Sequence, residues 1–162
     1  MVHSLTDQET IRSLFGETMR NSLLVRLHPL EKHLIPVVQE AGCTPIIDAT
    51  TADVTALPSG VWLRTRPGRP TPGDGPVILA EVGSPVPGRD TWLETTVPRE
   101  TPAGFTGIVL RGQYAGGLHG NESALTLLNR CDNAQKVILV DNLTPQDVAV
   151  AMTAGAVGVI LD

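Results

Sequence analysis

Eight short apolar runs recur along this 162-residue chain and constrain its fold more than any other feature. Most of them are apolar throughout instead of alternating with polar residues. That pattern is typical of strands buried on both faces of a parallel sheet. The predicted strands are Leu23–Leu27, Pro45–Ala49, Val61–Arg64, Val77–Val82, Thr91–Val97, Gly107–Leu110, Val137–Val140 and Gly158–Leu161.

Helical patterns separate the strands near both ends of the chain. Leu30–Ala41 has apolar residues on one face and follows the first strand, while Asn121–Arg130 and Thr144–Ala154 separate the last three strands. A further helix is predicted over Leu5–Met19, where Thr6-x-x-Glu9 has the spacing of a capping box. The strand–helix–strand order predicts an α/β fold with a parallel sheet.

The middle of the chain lacks room for helices. The links Pro67–Pro76 and Gly83–Asp90 are rich in proline and glycine and too short for a helix with two turns. A (β/α)8 barrel typically needs about 250 residues. We therefore predict a shortened (β/α)8 TIM-type barrel with some outer helices missing, unless the sheet there is not a barrel. Residues 1–162 form one domain, with an N-terminal helical segment over 1–20 and a compact barrel over 21–162.

Charge and composition exclude several partners. The net charge is −5 with no basic block, and aromatic residues make up 3% of the chain. Nucleic acid and anionic membranes are therefore not expected as partners. If strands in the middle of the barrel lack helices outside, another protein surface has to cover them, which favours a second copy or other domains of a larger protein.

Cysteine usage and the N terminus indicate a cytoplasmic protein. Cys43 and Cys131 lie far apart and belong to no Cys/His cluster, so we expect reduced thiols and no structural metal. The first ten residues lack the basic and apolar regions of a signal peptide. No apolar run approaches the roughly 20 residues that span a bilayer.

A glycine-rich turn follows the sixth predicted strand. The stretch RGQYAGGLHGNESALTLL, Arg111 to Leu128, holds Gly112, Gly116, Gly117 and Gly120 beside His119. These glycines either cradle a phosphate or flavin, or serve only the shape of a tight turn between strand and helix. A glycine-rich turn alone does not decide between the two.

The same stretch resembles the nitronate monooxygenase (2-nitropropane dioxygenase) family of flavin barrels. It is most similar to the copies embedded in polyketide and polyunsaturated fatty acid synthases. The matching residues are Gly112, Ala115-Gly116-Gly117, Gly120 and Glu122-Ser123. The final segment, residues 154–162, also resembles the end of those barrels. The resemblance implies FMN as cofactor, held over Gly112, Gly116, Gly117 and Gly120.

The chain departs from the family at positions that flavin chemistry needs. The family's catalytic histidine directly follows Ala-Gly-Gly, whereas this chain has Leu118 there and His119 one position later. The family's phosphate-binding Gly-Gly after the seventh strand corresponds to Asp141-Asn142, where a carboxylate would repel a phosphate. His28, which follows the first strand, is a second candidate base.

Charged residues end several predicted strands, where the catalytic residues of barrels lie. The acids are Asp48, Glu81, Glu94 and Asp141, and the arginines are Arg64 and Arg111. Converging acids are able to raise a pKa for acid/base work or to bind a metal. Ion pairing with the two arginines is the alternative that needs fewer assumptions.

These observations predict a degenerate, non-catalytic barrel without cofactor, which acts as a structural or protein-interaction domain of a polyketide-type synthase. Its partners would be other domains of the synthase or a second copy of itself. The alternative is an FMN-dependent oxidoreductase with His119 or His28 as base. A third possibility is a small-molecule binding module that uses the same mouth without turnover.

Overall fold

Eight parallel strands close into a barrel in chain order. The computed structural model describes residues 22–113 and 122–161. Pairing of β1 with both β2 and β8 closes the sheet, which confirms the prediction of an α/β barrel. The strands are β1 Leu23–Leu27, β2 Thr44–Asp48, β3 Trp62–Thr65, β4 Val77–Leu79, β5 Thr91–Thr95, β6 Gly107–Arg111, β7 Val137–Val140 and β8 Gly158–Leu161.

Helices follow β1, β6 and β7 within the described ranges. A 3-10 helix, Pro29–Leu34, leads into α1, Ile35–Glu40. The other two are α2, Ala124–Leu128, and α3, Pro145–Thr153. None of the helices in residues 22–113 and 122–161 is long and apolar enough to cross a membrane. The helix predicted over Leu5–Met19 lies outside the described residues.

Side-chain caps explain where these helices begin. The Ser123 hydroxyl accepts a hydrogen bond from the Thr126 amide at the start of α2. Thr144 and Asp147 form a reciprocal capping box at the start of α3, next to Pro145 in the first turn. Both caps satisfy amides that a helix leaves unpaired at its N terminus. The predicted helix Asn121–Arg130 is shorter than expected, since its described regular part is only Ala124–Leu128.

The β3–β4 and β4–β5 links contain no helix among the described residues, as the proline and glycine content of Pro67–Pro76 and Gly83–Asp90 predicted, and the β2–β3 and β5–β6 links contain none either. These loops themselves cover the outer face of the strands. Leu63, Val77, Leu79 and Leu93 are each at most 2% exposed. The burial removes one reason to expect a partner at this part of the surface, because the chain already shields its apolar strands.

Arg89 ties the proline-rich links together. Its Nε donates to the Gly75 carbonyl at 2.7 Å, and its Nη1 donates to the carbonyls of Thr71 at 2.7 Å and Pro72 at 3.1 Å. One guanidinium thus binds three carbonyls of the β3–β4 link from the β4–β5 link. Such bonds satisfy backbone groups that a helix would otherwise pair internally.

Alternation along each strand produces two apolar clusters. One fills the barrel interior, where the rings of Trp62 and Trp92 lie 6.0 Å apart. The other lies between the outside of the sheet and the helices, and includes Val148 and Ala151 of α3. The interior cluster consists of Leu24, Ile46, Ile78, Trp92, Val109, Ile138, Val140 and Ile160. Burial on both faces is why the strands are apolar throughout.

Candidate functional site

The inward positions change from apolar to charged toward the carboxyl ends of the strands. Side chains two residues apart in a strand lie on the same face. Five charged residues therefore lie on the inward face, each two positions after a residue of the barrel interior. They stand at the carboxyl end of the barrel, which we call the mouth. They are Arg26 in β1, Asp48 in β2, Arg64 in β3, Glu94 in β5 and Arg111 in β6.

Arg64 connects the acids of two other strands. Its Nη1 lies 2.9 Å from Asp48 Oδ2. Its Nε and Nη2 bind Glu94 Oε1 and Oε2 at 3.2 and 2.7 Å. This two-bond geometry matches the planar guanidinium to the carboxylate and fixes both side chains.

Two further arginines extend the chain of charges. Arg111 Nη1 lies 2.7 Å from Glu94 Oε1, and the two side chains are only 3% and 4% exposed. At the other end, Arg26 Nη1 lies 3.6 Å from Asp48 Oδ2. Arg26, Asp48, Arg64, Glu94 and Arg111 therefore form one array of alternating sign, which we call the mouth network. For Asp48 and Glu94 the structure thus shows ion pairing, which was the alternative to acid/base work or metal binding.

The network keeps Asp48 ionised. Burial raises the pKa of this carboxyl, but the ion pair with Arg64, two hydrogen bonds from Thr50 and the charge of Arg26 outweigh it and lower the pKa below its ordinary value. For Arg64, burial lowers the pKa, yet Glu94 and Asp48 raise it overall. Asp48 is consequently a poor proton donor at neutral pH.

Asp141 is held by backbone amides directly after β7. Its Oδ2 accepts a hydrogen bond from the Ala124 amide at 2.8 Å, and its Oδ1 accepts one from the Asn142 amide at 2.9 Å. The residue is 3% exposed. Its carboxylate thus takes up amide donors at the start of α2, the kind of donor that anions bind.

Gly112 is explained by this carboxylate. A Cβ at Gly112 would collide with Asp141 Oδ2 and come within 2.6 Å of the Ala124 amide nitrogen. Its φ is not positive, so close approach of Asp141, not an unusual backbone angle, demands glycine here. The other predicted cradle residues, Gly116, Gly117 and Gly120, lie outside the described residues, as does His119.

His28 serves as a helix cap. It is exposed, its Nδ1 accepts a hydrogen bond from the Leu30 amide at 3.1 Å, and its own amide donates to Glu31 Oε2 at 2.7 Å. None of the hydrogen bonds found among the described residues links His28 to the mouth network. The described contacts therefore give His28 a structural role, and they leave its proposed role as base without support.

Glu81 does not join the mouth. The predicted strand Val77–Val82 ends at Leu79, so Glu81 lies in the following loop, where its carboxylate is exposed and 3.4 Å from Arg66 Nε. Arg26, in contrast, belongs to the network and was not predicted. The signal was present in the sequence, because Arg26 is the one charged residue of LLVRL and stands two residues after Leu24.

A cavity of about 260 Å³ lies away from the mouth, at the amino ends of β7 and β8. Its wall includes Cys131, Asp132, Gln135 and Gly155. Burial raises the pKa of the Cys131 thiol, against a hydrogen bond from Gln135 that lowers it. Neither Cys131 nor the buried Cys43 forms a disulfide bond, and a protonated thiol is a weak nucleophile.

Neither a metal site nor a relative identifies the chemistry of the mouth. Among residues 22–113 and 122–161, no group of three or more histidine, cysteine or acidic side chains is placed to hold a metal ion. No protein-family model matches the chain, and no curated protein or solved structure is significantly similar to it.

Proposed function

We propose that the chain is a shortened TIM-type, nitronate-monooxygenase-like barrel that performs no catalysis. It serves as a structural or protein-interaction domain of a polyketide-type synthase. The observation that carries this proposal is the mouth network, in which the charged side chains at the catalytic end of the barrel bind one another. A cytoplasmic location stays a prediction that goes with it.

The acids of the mouth network already bind arginines, which argues against acid/base chemistry. A general base or acid needs a pKa near the working pH and access to substrate. Asp48 has a lowered pKa, and Glu94 accepts hydrogen bonds from both Arg64 and Arg111. To act on a substrate, Glu94 would first have to give up its buried ion pair with Arg111, which costs several kcal/mol, and Asp48 would have to give up its part-buried pair with Arg64.

Asp141 argues against a bound flavin phosphate. Its fixed negative charge accepts hydrogen bonds from the Ala124 and Asn142 amides. A phosphate at the same place would lose those donors and face an anion at close range. The residues present therefore do not fit FMN at this turn, and we propose that none binds.

Titration of the protein with FMN tests the proposal. We expect no quenching of flavin fluorescence and no change in thermal stability up to millimolar FMN. Asp141→Asn removes the negative charge but keeps an oxygen that accepts hydrogen bonds from the amides of the turn. This variant therefore tests whether charge repulsion, and not the shape of the turn, excludes FMN. Saturable FMN binding by the unaltered chain would favour the FMN-dependent oxidoreductase, with His119 or His28 to be tested as base.

Sedimentation velocity tests the interaction role for the partner that is available in any preparation, a second copy. If the chain is its own partner, a dimer or larger species forms in the micromolar range. A monomer throughout that range would count against a second copy and leave other synthase domains as the proposed partners.

A further inference from the structure

Three consecutive links cover the outside of β3, β4 and β5 without a helix. We call them together the link layer, and they are residues 49–61, 66–76 and 80–90. The outward side chains of β4 and β5 beneath them are at most 2% exposed, yet they belong to neither of the two apolar clusters. They are Val77, Leu79 and Leu93. The link layer is therefore what shields this side of the barrel from water.

Asp74 ties the second link to the first. Its Oδ2 accepts a hydrogen bond from the Ser59 hydroxyl at 2.8 Å, and its Oδ1 accepts one from the Gly60 amide at 2.9 Å. The Gly60 amide and the Ser59 hydroxyl lower the pKa of this carboxyl, so both bonds are made to an anion. They lie at the amino ends of the strands, because Gly60 comes shortly before β3 and Asp74 shortly before β4.

Arg89 ties the third link to the second. Its three hydrogen bonds to the carbonyls of Thr71, Pro72 and Gly75 come from a residue two positions before β5. Gly75 directly follows Asp74 in the sequence, so the second link carries the ties to both of its neighbours at one place. A displacement of the second link therefore disturbs both ties together.

Exposed ion pairs bridge the same two junctions nearer the mouth. Asp53 of the first link lies 3.2 Å from Arg69 of the second, and Arg66 of the second lies 3.4 Å from Glu81 of the third. All four side chains are at least 34% exposed, so each pair alone contributes little. Each junction is thus held mainly by the hydrogen bonds of Asp74 or Arg89.

Each link has few backbone hydrogen bonds of its own. In the described chain, a single backbone bond joins two residues within each link. These are the bonds from the Val61 amide to the Pro58 carbonyl, from Arg69 to Arg66 and from Arg89 to Val86, at 3.2 to 3.3 Å. A helix would hold its own shape through many such bonds, whereas these links depend on one another.

We propose that the link layer is a strap that opens and closes as one unit while the barrel beneath it stays closed. When the strap opens, the apolar outer faces of β4 and β5 become accessible to water, and the strands keep their pairing. The proposal does not depend on the mouth network, which lies at the opposite end of the strands from the ties of Asp74 and Arg89.

Hydrogen exchange of the full chain, measured for peptides within each link, tests the proposal. We expect Asp74→Ala to speed exchange about tenfold in all three links, the size that loss of hydrogen bonds to a charged group gives. The third link decides, because neither hydrogen bond of Asp74 described above reaches it. Arg89→Met should have the same effect, and there the first link decides. The control is Asp132→Ala, because Asp132 Oδ1 accepts from the Ala134 amide within its own link. That variant should leave the strap unchanged.

An Asp74→Ala effect that spares residues 80–90 would overturn the proposal, and so would an Arg89→Met effect that spares residues 49–61. Equal acceleration in β7 and β8 would also overturn it, because the whole barrel would then be opening. Should both variants unfold the barrel, Ser59→Ala removes only one of the two bonds to Asp74 and gives the milder form of the test. All three links must again respond together, with β7 and β8 unchanged.

Discussion

Glu94 Oε1 lies 2.7 Å from Arg111 Nη1, and neither side chain is more than 4% exposed. The same carboxylate also binds Arg64 through both of its oxygens. Glu94 is thus a buried anion between the buried Arg111 and the part-buried Arg64. Removal of its charge would take from both arginines the carboxylate that they share, although Arg64 would keep its ion pair with Asp48.

Glu94→Gln should therefore lower the free energy of unfolding by about 3–5 kcal/mol, the usual cost of breaking a buried ion pair by removing one partner. Urea unfolding at pH 7 measures the change. The matched control is Glu122→Gln, because Glu122 makes two 2.6 Å hydrogen bonds to Arg130 on the surface. That exposed pair should contribute at most about 1 kcal/mol. Similar losses in the two variants would contradict the account of the network.

Asp48 should make stability depend on acid pH. Its folded pKa lies below the unfolded value of about 3.9. A group with a depressed folded pKa stabilises the protein above the unfolded pKa, and this contribution is lost as pH falls through the folded pKa. Asp48→Asn should be less stable than the unaltered protein at pH 7. The difference should shrink below about pH 4, as followed by urea unfolding from pH 7 to 2.5. A difference that stays constant over that range would exclude the ion pairs as its cause.

Gly112 and Asp141 should behave as a coupled pair. Gly112→Ala puts a methyl group against the Asp141 carboxylate and should cost about 2–4 kcal/mol, in the range of severe overpacking. In an Asp141→Ala background the clash with the carboxylate is gone and only the close approach to the Ala124 amide nitrogen is left, so Gly112→Ala should cost clearly less. Thermal and urea unfolding of the unaltered protein, the two single variants and the double variant provide a double-mutant cycle. Additive effects would show that Asp141 is not what keeps alanine out.

Thr65 should tolerate loss of its hydroxyl. Thr65 is fully buried, and its Oγ1 has no hydrogen-bond partner among the described residues. Thr65→Val keeps the shape and removes an unsatisfied polar group, so it should stabilise the protein by about 1 kcal/mol. The control is Thr91→Val, because the equally buried Thr91 Oγ1 accepts from the Val86 amide and donates to the Arg89 carbonyl. That variant should be destabilised. A loss of stability in both would mean that Thr65 has a partner after all.

The strands of the barrel were predictable because the apolar runs that identify them are local features of the sequence. Each strand is buried on both faces, so the apolar runs from Leu23–Leu27 to Gly158–Leu161 stand out without knowledge of their neighbours. Strand ends were harder to predict. Val82 is as apolar as Val77, yet it is 76% exposed in a loop, and only the tertiary structure separates the two.

The mouth was predictable only in part. Asp48, Glu94, Arg64 and Arg111 end strands, and that position predicted their convergence. Which acid meets which arginine depends on the register between strands, for example Asp48 opposite Arg64 in the β2–β3 pair. Register is a long-range property that a single sequence does not display. The role of Asp141 as acceptor for the Ala124 amide was missed because it also depends on a contact between residues far apart in the sequence.

The absorbance spectrum of the protein as purified tests the central claim most directly. With the mouth network intact and Asp141 bound to its amides, we expect a colourless protein whose visible spectrum shows no flavin bands before or after denaturation. A yellow protein that releases FMN when it is denatured would contradict the account of a non-catalytic barrel.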